Sequence, residues 1–325
     1  MLYREALNRA IDESMAADQS VVILGEDVGR YGGSYRVSEG LFAKYGPKRV
    51  IDTPIAELSI VGNAIGMAIA GLRPIAEIMT VNFSLLAMDQ IVNHAAKFRY
   101  MSGGKMTIPL TIRMPGGVSR QLAAQHSESY ETMYSAVPGL IVLAASNATY
   151  AYHALKAAIF LNDPVVFLEH ELLYPMDMEF KQIENFDPFK AEVVKEGEDL
   201  TILTYLKMRY DVLQAVPQIE KELGISVEVI DLNSLRPLDM KTITDSIKKT
   251  KRVVLVEEDH KTGGYGAEVI ARISEELFYE LDAPPLRIAG EDVPIPYNRK
   301  LELASIPTPD KIVSQILQWS RANGI

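Results

Sequence analysis

Short apolar runs rich in β-branched residues alternate with segments of helical periodicity along most of the chain, and this pattern constrains the fold more than any other feature. Apolar residues at positions 3, 7, 10, 11 and 15 share one helical face and precede a strand predicted at Val21–Gly25. Further strands are predicted at Pro74–Met79, Ile108–Ile112, Leu140–Leu143 and Val165–Leu168. Because such alternation is typical of parallel sheets covered by helices, the sequence predicts an α/β fold.

The alternation is interrupted once, in a largely acidic segment between about residues 176 and 199. It restarts with strands predicted at Leu200–Tyr205, Val227–Ile230 and Arg252–Val256, separated by helices over about 208–223 and 239–250. We therefore expect a first α/β domain over residues 1–180, a linker over 181–198 and a second, smaller α/β domain over 199–325.

Composition excludes several classes of protein. The 325 residues include no cysteine, which excludes disulfides, cysteine-bound zinc, iron–sulfur clusters and a thiol nucleophile. The net charge of −10 argues against broad nucleic-acid binding. No apolar run reaches the ~18 residues that a membrane span requires. We expect no nucleic-acid or membrane partner, and a reducing interior as the location.

The segment Asp52–Glu57 has the residue types of a helix start, with Thr53 as the N-cap and Pro54 in the first helical position. Glu57 then lies near the positive end of the helix, where a carboxylate ordinarily complements the helix dipole. Its immediate neighbours are apolar, however, and a carboxyl group desolvated among them could share a proton with a ring nitrogen. Glu57 is therefore a candidate acid–base residue.

Other candidates are open to two interpretations each. The stretch Arg113–Arg120 follows a predicted strand and carries two cations, so it could border an anionic substrate or be a simple turn. His126 follows it, and a lone histidine in a polar loop is either solvated or a proton carrier. Phe83 has the surroundings of a core aromatic. The glycine-rich stretches Gly62–Gly66 and Gly263–Gly266 complete no dinucleotide fingerprint.

Several motifs together resemble the β subunits of the thiamine-diphosphate-dependent 2-oxo acid dehydrogenases, and among these the enzymes that act on pyruvate. They are Gly25–Val28, Asp52–Glu57, Gly71–Ile75, Tyr100–Gly104, Ala124–Ser127 and Asp231–Asp239. The resemblance covers almost the whole chain. It implies a pyrimidine-binding parallel-sheet domain followed by a transketolase C-terminal-like α/β domain.

The resemblance also implies roles for three residues. Glu57 matches the glutamate that hydrogen-bonds the N1′ atom of the cofactor's aminopyrimidine, and is thereby both catalytic and cofactor-binding. Phe83 matches the aromatic residue that packs on this ring. His126 matches an active-site histidine that handles protons or the lipoyl group. The implied reaction is the oxidative decarboxylation of pyruvate with reductive acylation of a lipoyl group.

The resemblance also implies a potassium site, with ligands that are mostly main-chain carbonyl groups. By position, these ligands fall at Leu110, Ala158, Ile159, Leu161 and Asp163. Thiamine enzymes hold the diphosphate through magnesium bound to a Gly-Asp-Gly motif, which this sequence lacks. The resemblance therefore implies that a separate α subunit supplies magnesium and the phosphate donors.

We accordingly expect an α2β2 heterotetramer that works with a dihydrolipoyl acyltransferase and its lipoyl and subunit-binding domains. The acidic stretch Gly290–Asp292 could meet the basic subunit-binding domain. The expected location is the cytoplasm of a bacterium, or the interior of a mitochondrion or plastid in a eukaryote. A branched-chain 2-oxo acid or acetoin dehydrogenase and a non-catalytic assembly subunit are the alternatives. A self-sufficient transketolase-like enzyme is excluded by the length and the missing motif.

Overall fold

The computed structural model describes residues 1–324, and the chain forms two compact units. The first comprises Met1–Gly116 and Met133–Pro188, and the second comprises Gly117–Thr132 together with the residues from Phe189 onward. Each unit is built on its own sheet with a parallel core, as the alternating sequence pattern predicts, and the α/β prediction is confirmed.

The sheet of the first unit is parallel throughout the strands that this unit contributes. These strands lie in the order β5-β6-β4-β3-β1-β2. Their bounds are β1 (Val21–Gly25), β2 (Val50–Asp52), β3 (Arg73–Glu77), β4 (Thr111–Gly116), β5 (Ile141–Ala144) and β6 (Val165–His170). Strands β1, β4 and β6 are buried along their whole length, and the sequence of β1 is apolar throughout. The carboxyl ends of these strands share one edge of the sheet, where ligands of parallel α/β sheets usually bind.

The sheet of the second unit has the order β12-β11-β8-β9-β7. All neighbouring pairs are parallel except the edge strand β7, which runs antiparallel to β9. The strands are β7 (Glu192–Lys195), β8 (Leu200–Thr204), β9 (Val227–Asp231), β11 (Val253–His260) and β12 (Leu286–Gly290), and a further short strand is β10 (Ser234–Arg236).

Helices cover both sheets. In chain order they are α1 (Tyr3–Ala17), α2 (Leu41–Tyr45), α3 (Glu57–Ile69), α4 (Phe98–Met101), α5 (Glu131–Ser135), α6 (Ala148–Phe160), α7 (Met208–Leu223), α8 (Met240–Thr250), α9 (Tyr265–Leu277), α10 (Arg299–Ser305) and α11 (Pro309–Asn323). Short 3-10 helices span Val81–Ala87, Glu171–Leu173 and Phe278–Glu280, and a π-helix spans Gln90–Ala95. In the second unit, α7 and α11 pack together against the apolar face of the sheet, and Trp319 contributes to this core.

The start of α3 differs from the prediction. The helix begins at Glu57 with Ala56 as its N-cap, not at Pro54 with Thr53 as the cap. The physical reason is strand pairing, because β2 lies beside β1 and the Thr53 N–H donates to the carbonyl oxygen of Gly25 at 3.0 Å. The chain remains extended through this pairing and turns into the helix only afterwards.

The segment Gly117–Thr132 belongs to the second compact unit, although the residues on both sides of it in the sequence belong to the first. It packs with the second unit, where Val118 forms a small buried apolar cluster with Ile295 and Ile306. The contacts of Val118 with residues far along the chain place this segment in the second unit, and the local periodicity of the sequence does not predict such contacts.

Candidate active site

Glu57 is the first residue of α3, and it is only 4% exposed. Two apolar neighbours behave in the opposite way, since Ile55 is 75% exposed and Leu58 is 53% exposed. The chain therefore buries a carboxyl group at the positive end of a helix while it leaves large apolar side chains around it open. This arrangement is typical of a site that another molecule completes.

Glu26 is a second carboxyl group in this region. It belongs to the motif Gly25–Val28, but no role was predicted for it from the sequence. It follows β1 directly, at the carboxyl edge of the parallel sheet. Burial raises the pKa of Glu26, and the negative charges of Asp27 and Glu57 raise it further. The position immediately after a buried parallel strand was the available sequence signal. Glu26 and Glu57 therefore form an acidic region at the carboxyl end of β1.

Phe83 lies in the 3-10 helix Val81–Ala87, and this helix packs against α3. Its side chain is half-buried, and the following Leu85 and Leu86 are exposed by 46% and 63%. Phe83 is thus not a fully buried core residue. The fold brings together the two elements that carry Glu57 and Phe83, although 26 positions separate the two residues in the sequence.

Arg113 is not available to a substrate, contrary to one of its sequence-based interpretations. It lies in β4 and is 1% exposed. Its guanidinium group donates to both carboxylate oxygens of Glu169, at 2.9 and 2.6 Å, and also pairs with Glu77. Burial raises the pKa of Glu77, whereas the Glu169 and Glu77 carboxylates, acting against burial, raise the pKa of Arg113. Arg113 therefore ties three neighbouring strands together near their carboxyl ends.

His126 lies in the segment Gly117–Thr132 of the second unit, and its side chain is exposed. The Gly117 N–H donates to the carbonyl oxygen of Glu128 at 2.9 Å and closes a loop around it. The His126 N–H donates to the carbonyl oxygen of Ala123 at 3.1 Å. The exposed histidine thus lies in a loop that backbone hydrogen bonds hold in place.

The predicted potassium ligands all lie in the first unit, at the end of α6, in the turn that follows it and just before β4. They are Leu110, Ala158, Ile159, Leu161 and Asp163. The Arg73 guanidinium donates to the carbonyl oxygens of Ile159 and Leu161 at 3.2 and 3.0 Å, and Arg99 binds the Asp163 carboxylate at 2.5 Å. A carbonyl oxygen has two lone pairs, so these contacts leave acceptor capacity for a cation.

The second unit buries a further group of carboxylates around β11. Glu131 is 6% exposed, and its Oε2 atom has no hydrogen-bond partner. Burial raises the pKa of Glu131 well above its ordinary value, and the Asp259 carboxylate adds to this effect. Burial likewise raises the pKa of Asp259 to about 6, with a further contribution from Glu257. Glu257 itself has a cationic partner, since Arg287 lies 2.7 Å away.

Within residues 1–324, no group of three or more His, Cys, Asp or Glu side chains is arranged to hold a metal ion. In the same part of the chain, no helix combines the length and the apolar character needed to cross a membrane.

Comparison with known proteins assigns both units. Residues 1–177 match the family described as transketolase, pyrimidine binding domain, and residues 189–312 match transketolase, C-terminal domain. A solved structure of a split-gene transketolase, described as an inactive β4 tetramer, has a TM-score of 0.80 and 25% identity, and the match covers 98% of each chain.

Known relatives with higher identity share one name. The pyruvate dehydrogenase E1 component subunit beta of Porphyra purpurea is 52% identical over 96% of this chain and 94% of its own length. The same subunit of Gracilaria tenuistipitata var. liui is 51% identical over 97% of this chain and 98% of its own length. The Arabidopsis thaliana subunit beta-1, named as mitochondrial, is 49% identical over 96% of this chain and 87% of its own length. The chain therefore belongs to the family of pyruvate dehydrogenase E1 component β subunits.

Proposed function

We propose that this chain contributes the aminopyrimidine half of a thiamine diphosphate site and, with an α subunit, catalyses the oxidative decarboxylation of pyruvate and the reductive acylation of a lipoyl group. The observation that carries the proposal is the buried Glu57 carboxyl group at the start of α3, between the exposed side chains of Ile55 and Leu58. A subunit without chemistry has no evident use for a desolvated carboxyl group at an open apolar surface.

The residues present fit the aminopyrimidine end of the cofactor. Glu57 would hydrogen-bond the ring nitrogen N1′ and hold a proton there, and the half-buried Phe83 would pack on the ring and orient it. When bound, thiamine diphosphate supplies the electron sink for loss of carbon dioxide from a 2-oxo acid. Ile55 and Leu58 would exclude water once the α subunit covers them.

The α subunit would complete the site by holding magnesium and the diphosphate. The sequence contains no Gly-Asp-Gly motif, and a diphosphate needs a metal ion or several cationic donors. The similar split-gene transketolase is inactive as a β4 tetramer, which agrees with a β chain that holds half a site. The proposed assembly is an α2β2 heterotetramer.

Three further assignments belong to this proposal. His126 would handle protons or receive the lipoyl group that a dihydrolipoyl acyltransferase presents. Potassium would bind the carbonyl groups between Ala158 and Leu161, with Asp163 and Leu110, and stabilise the end of α6. Asp292 would meet the basic subunit-binding domain of the acyltransferase, and its carboxylate is exposed while it accepts two hydrogen bonds from Thr262. The complex would work in a bacterial cytoplasm or in a mitochondrion or plastid.

The test is the Glu57→Gln variant, co-expressed with the matching α subunit. Glutamine keeps the size of the side chain but cannot exchange the same proton, so we expect turnover of pyruvate to fall by roughly 10²–10⁴-fold. Calorimetry should show that the tetramer still binds the cofactor. The exposed Glu39→Gln is the matched control. Full activity of Glu57→Gln would contradict the role assigned to Glu57. If the wild-type complex turned over branched-chain 2-oxo acids or acetoin faster than pyruvate, the proposed substrate would be wrong.

A further inference from the structure

The loop that carries His126 has an unusual backbone. Arg120, Gln121 and Ala123 adopt left-handed φ angles of 49°, 61° and 62°. Residues with a Cβ atom rarely adopt this conformation, because the side chain approaches the backbone too closely. Three such residues within four positions do not persist by local preference. Contacts from outside the loop must therefore hold this part of the chain.

Glu302 in α10 supplies such a contact. It is 0% exposed, and its Oε1 atom accepts a hydrogen bond from the backbone N–H of Gln121 at 2.8 Å. Its Oε2 atom accepts from the Arg299 guanidinium at 2.6 Å. The side chain of Asn298 caps the start of α10 and fixes the helix that carries both residues. One buried carboxylate thus joins a rigid helix to the strained backbone.

Two more contacts fix the same segment. The Val118 N–H donates to the Oε1 atom of Glu258 at 2.5 Å, and the Val118 side chain packs with Ile295 and Ile306. The Gln121 side chain donates to the carbonyl oxygen of Tyr297 at 3.3 Å. All of these groups belong to the second unit. The loop is therefore anchored at its start, while the exposed His126 lies five residues beyond the Glu302 contact.

We infer that Glu302, held by Arg299, is a positioning residue that fixes the loop conformation in which His126 is presented to the acyl-transfer step. This inference rests on the role proposed for His126. Removal of the Glu302 carboxylate leaves the Gln121 N–H without its acceptor and allows the left-handed residues to relax. His126 then samples several positions, and the fraction of productive complexes falls.

The first measurement is limited trypsin digestion of the assembled, cofactor-loaded α2β2 protein, because Arg120 is exposed and adjoins the Gln121 contact. Loss of a hydrogen bond to a charged acceptor predicts roughly tenfold faster cleavage after Arg120 in Glu302→Ala. Glu302→Gln, which keeps an acceptor oxygen, should be cleaved at a rate closer to wild type. Arg299→Ala, at an exposed position, removes the cationic partner of Glu302 and should also speed cleavage after Arg120. Lys300→Ala is the matched control on the same helix and should leave the cleavage rate unchanged.

The second measurement is a double-mutant cycle on acyl transfer to the lipoyl domain. Glu302→Ala should lower kcat with little change in the KM for pyruvate, and it should add no further loss to His126→Ala. Unchanged cleavage after Arg120 in both Glu302→Ala and Arg299→Ala, or additive losses in the double variant, would overturn the inference. Full activity of His126→Ala would overturn the role of His126 and the inference with it, and the digestion would still report separately whether Glu302 holds the loop.

Discussion

Asp259 gives the most quantitative prediction, because it is a carboxylate buried among other acidic groups. It is 8% exposed, and Glu257 and Glu131 face it from β11 and from the start of α5. His260 also lies close by, with its Nδ1 atom 3.5 Å from the Oδ1 atom of Asp259. Burial raises the pKa of Asp259 from 3.8 to about 6, with a further contribution from the Glu257 carboxylate.

The direction of the pH dependence follows from this change. The folded protein favours the protonated carboxyl group, so the contribution of Asp259 to stability is greatest below pH 4 and falls as the pH rises towards 6. Above pH 6, the ionised Asp259 costs the folded state about 3 kcal/mol relative to low pH. An asparagine at this position has no charge to bury. It keeps an oxygen that can accept the hydrogen bond donated by the backbone N–H of His260, which is 2.7 Å long in the wild type. We expect Asp259→Asn to stabilise the chain at pH 7.5 by up to about 3 kcal/mol and to have little effect near pH 4.

Urea unfolding of the full chain checks this prediction. The single tryptophan, Trp319, is partly buried and packs against the core of the second unit, so its fluorescence reports on the unit that contains Asp259. Unfolding free energies measured between about pH 5 and 7.5 should diverge between wild type and Asp259→Asn as the pH rises. The exposed Asp310→Asn serves as the control and should change stability by no more than about 0.5 kcal/mol. Equal stability of Asp259→Asn and wild type at the upper pH, or a gap that does not depend on pH, would refute the reasoning.

Three other predictions concern different parts of the chain. Arg113→Met should lower the free energy of unfolding by about 3–5 kcal/mol, because Glu169 and Glu77 lose their buried cationic partner. Thermal denaturation tests this prediction, and a decrease of less than about 1 kcal/mol would contradict it. Asp292→Lys should weaken acyltransferase binding in calorimetry relative to Asp292→Asn, and unchanged affinity disposes of that contact. Replacement of potassium by sodium should lower the melting temperature of the tetramer, with a smaller effect in Asp163→Ala; equal melting temperatures in both salts count against the potassium site.

Most of the secondary structure could be predicted because local sequence decides it. The run Val21–Gly25 is a strand as predicted, since five consecutive buried positions leave an apolar signature without reference to the rest of the chain. The helix Met208–Leu223 follows from its 3.6-residue periodicity and ends at Gly224, which adopts the left-handed conformation that stops helices. These features depend on neighbours within a few positions.

The site could be predicted in part. The motif around Glu57 was one of several that identified the family, and the fold buries this carboxyl group at the first residue of a helix. The helix start at Pro54 was wrong, because β1 pairs with the preceding strand and delays the turn. The approach of Glu26 to Glu57 could not be predicted, since it depends on how the ends of β1 and α3 are placed at one edge of the sheet.

The sequence by itself determined the α/β class, most strands and helices, and the family, because periodicity and motifs lie within short windows. Only the tertiary structure decided that Arg113 is a buried ion-pair residue, since its partner Glu169 is 56 positions away. It likewise decided that the Glu302 carboxylate accepts a hydrogen bond from the Gln121 N–H, across 181 positions. Hydrogen bonds and ion pairs act at about 3 Å in space, so their partners are fixed by the packing of the whole chain and not by spacing along it.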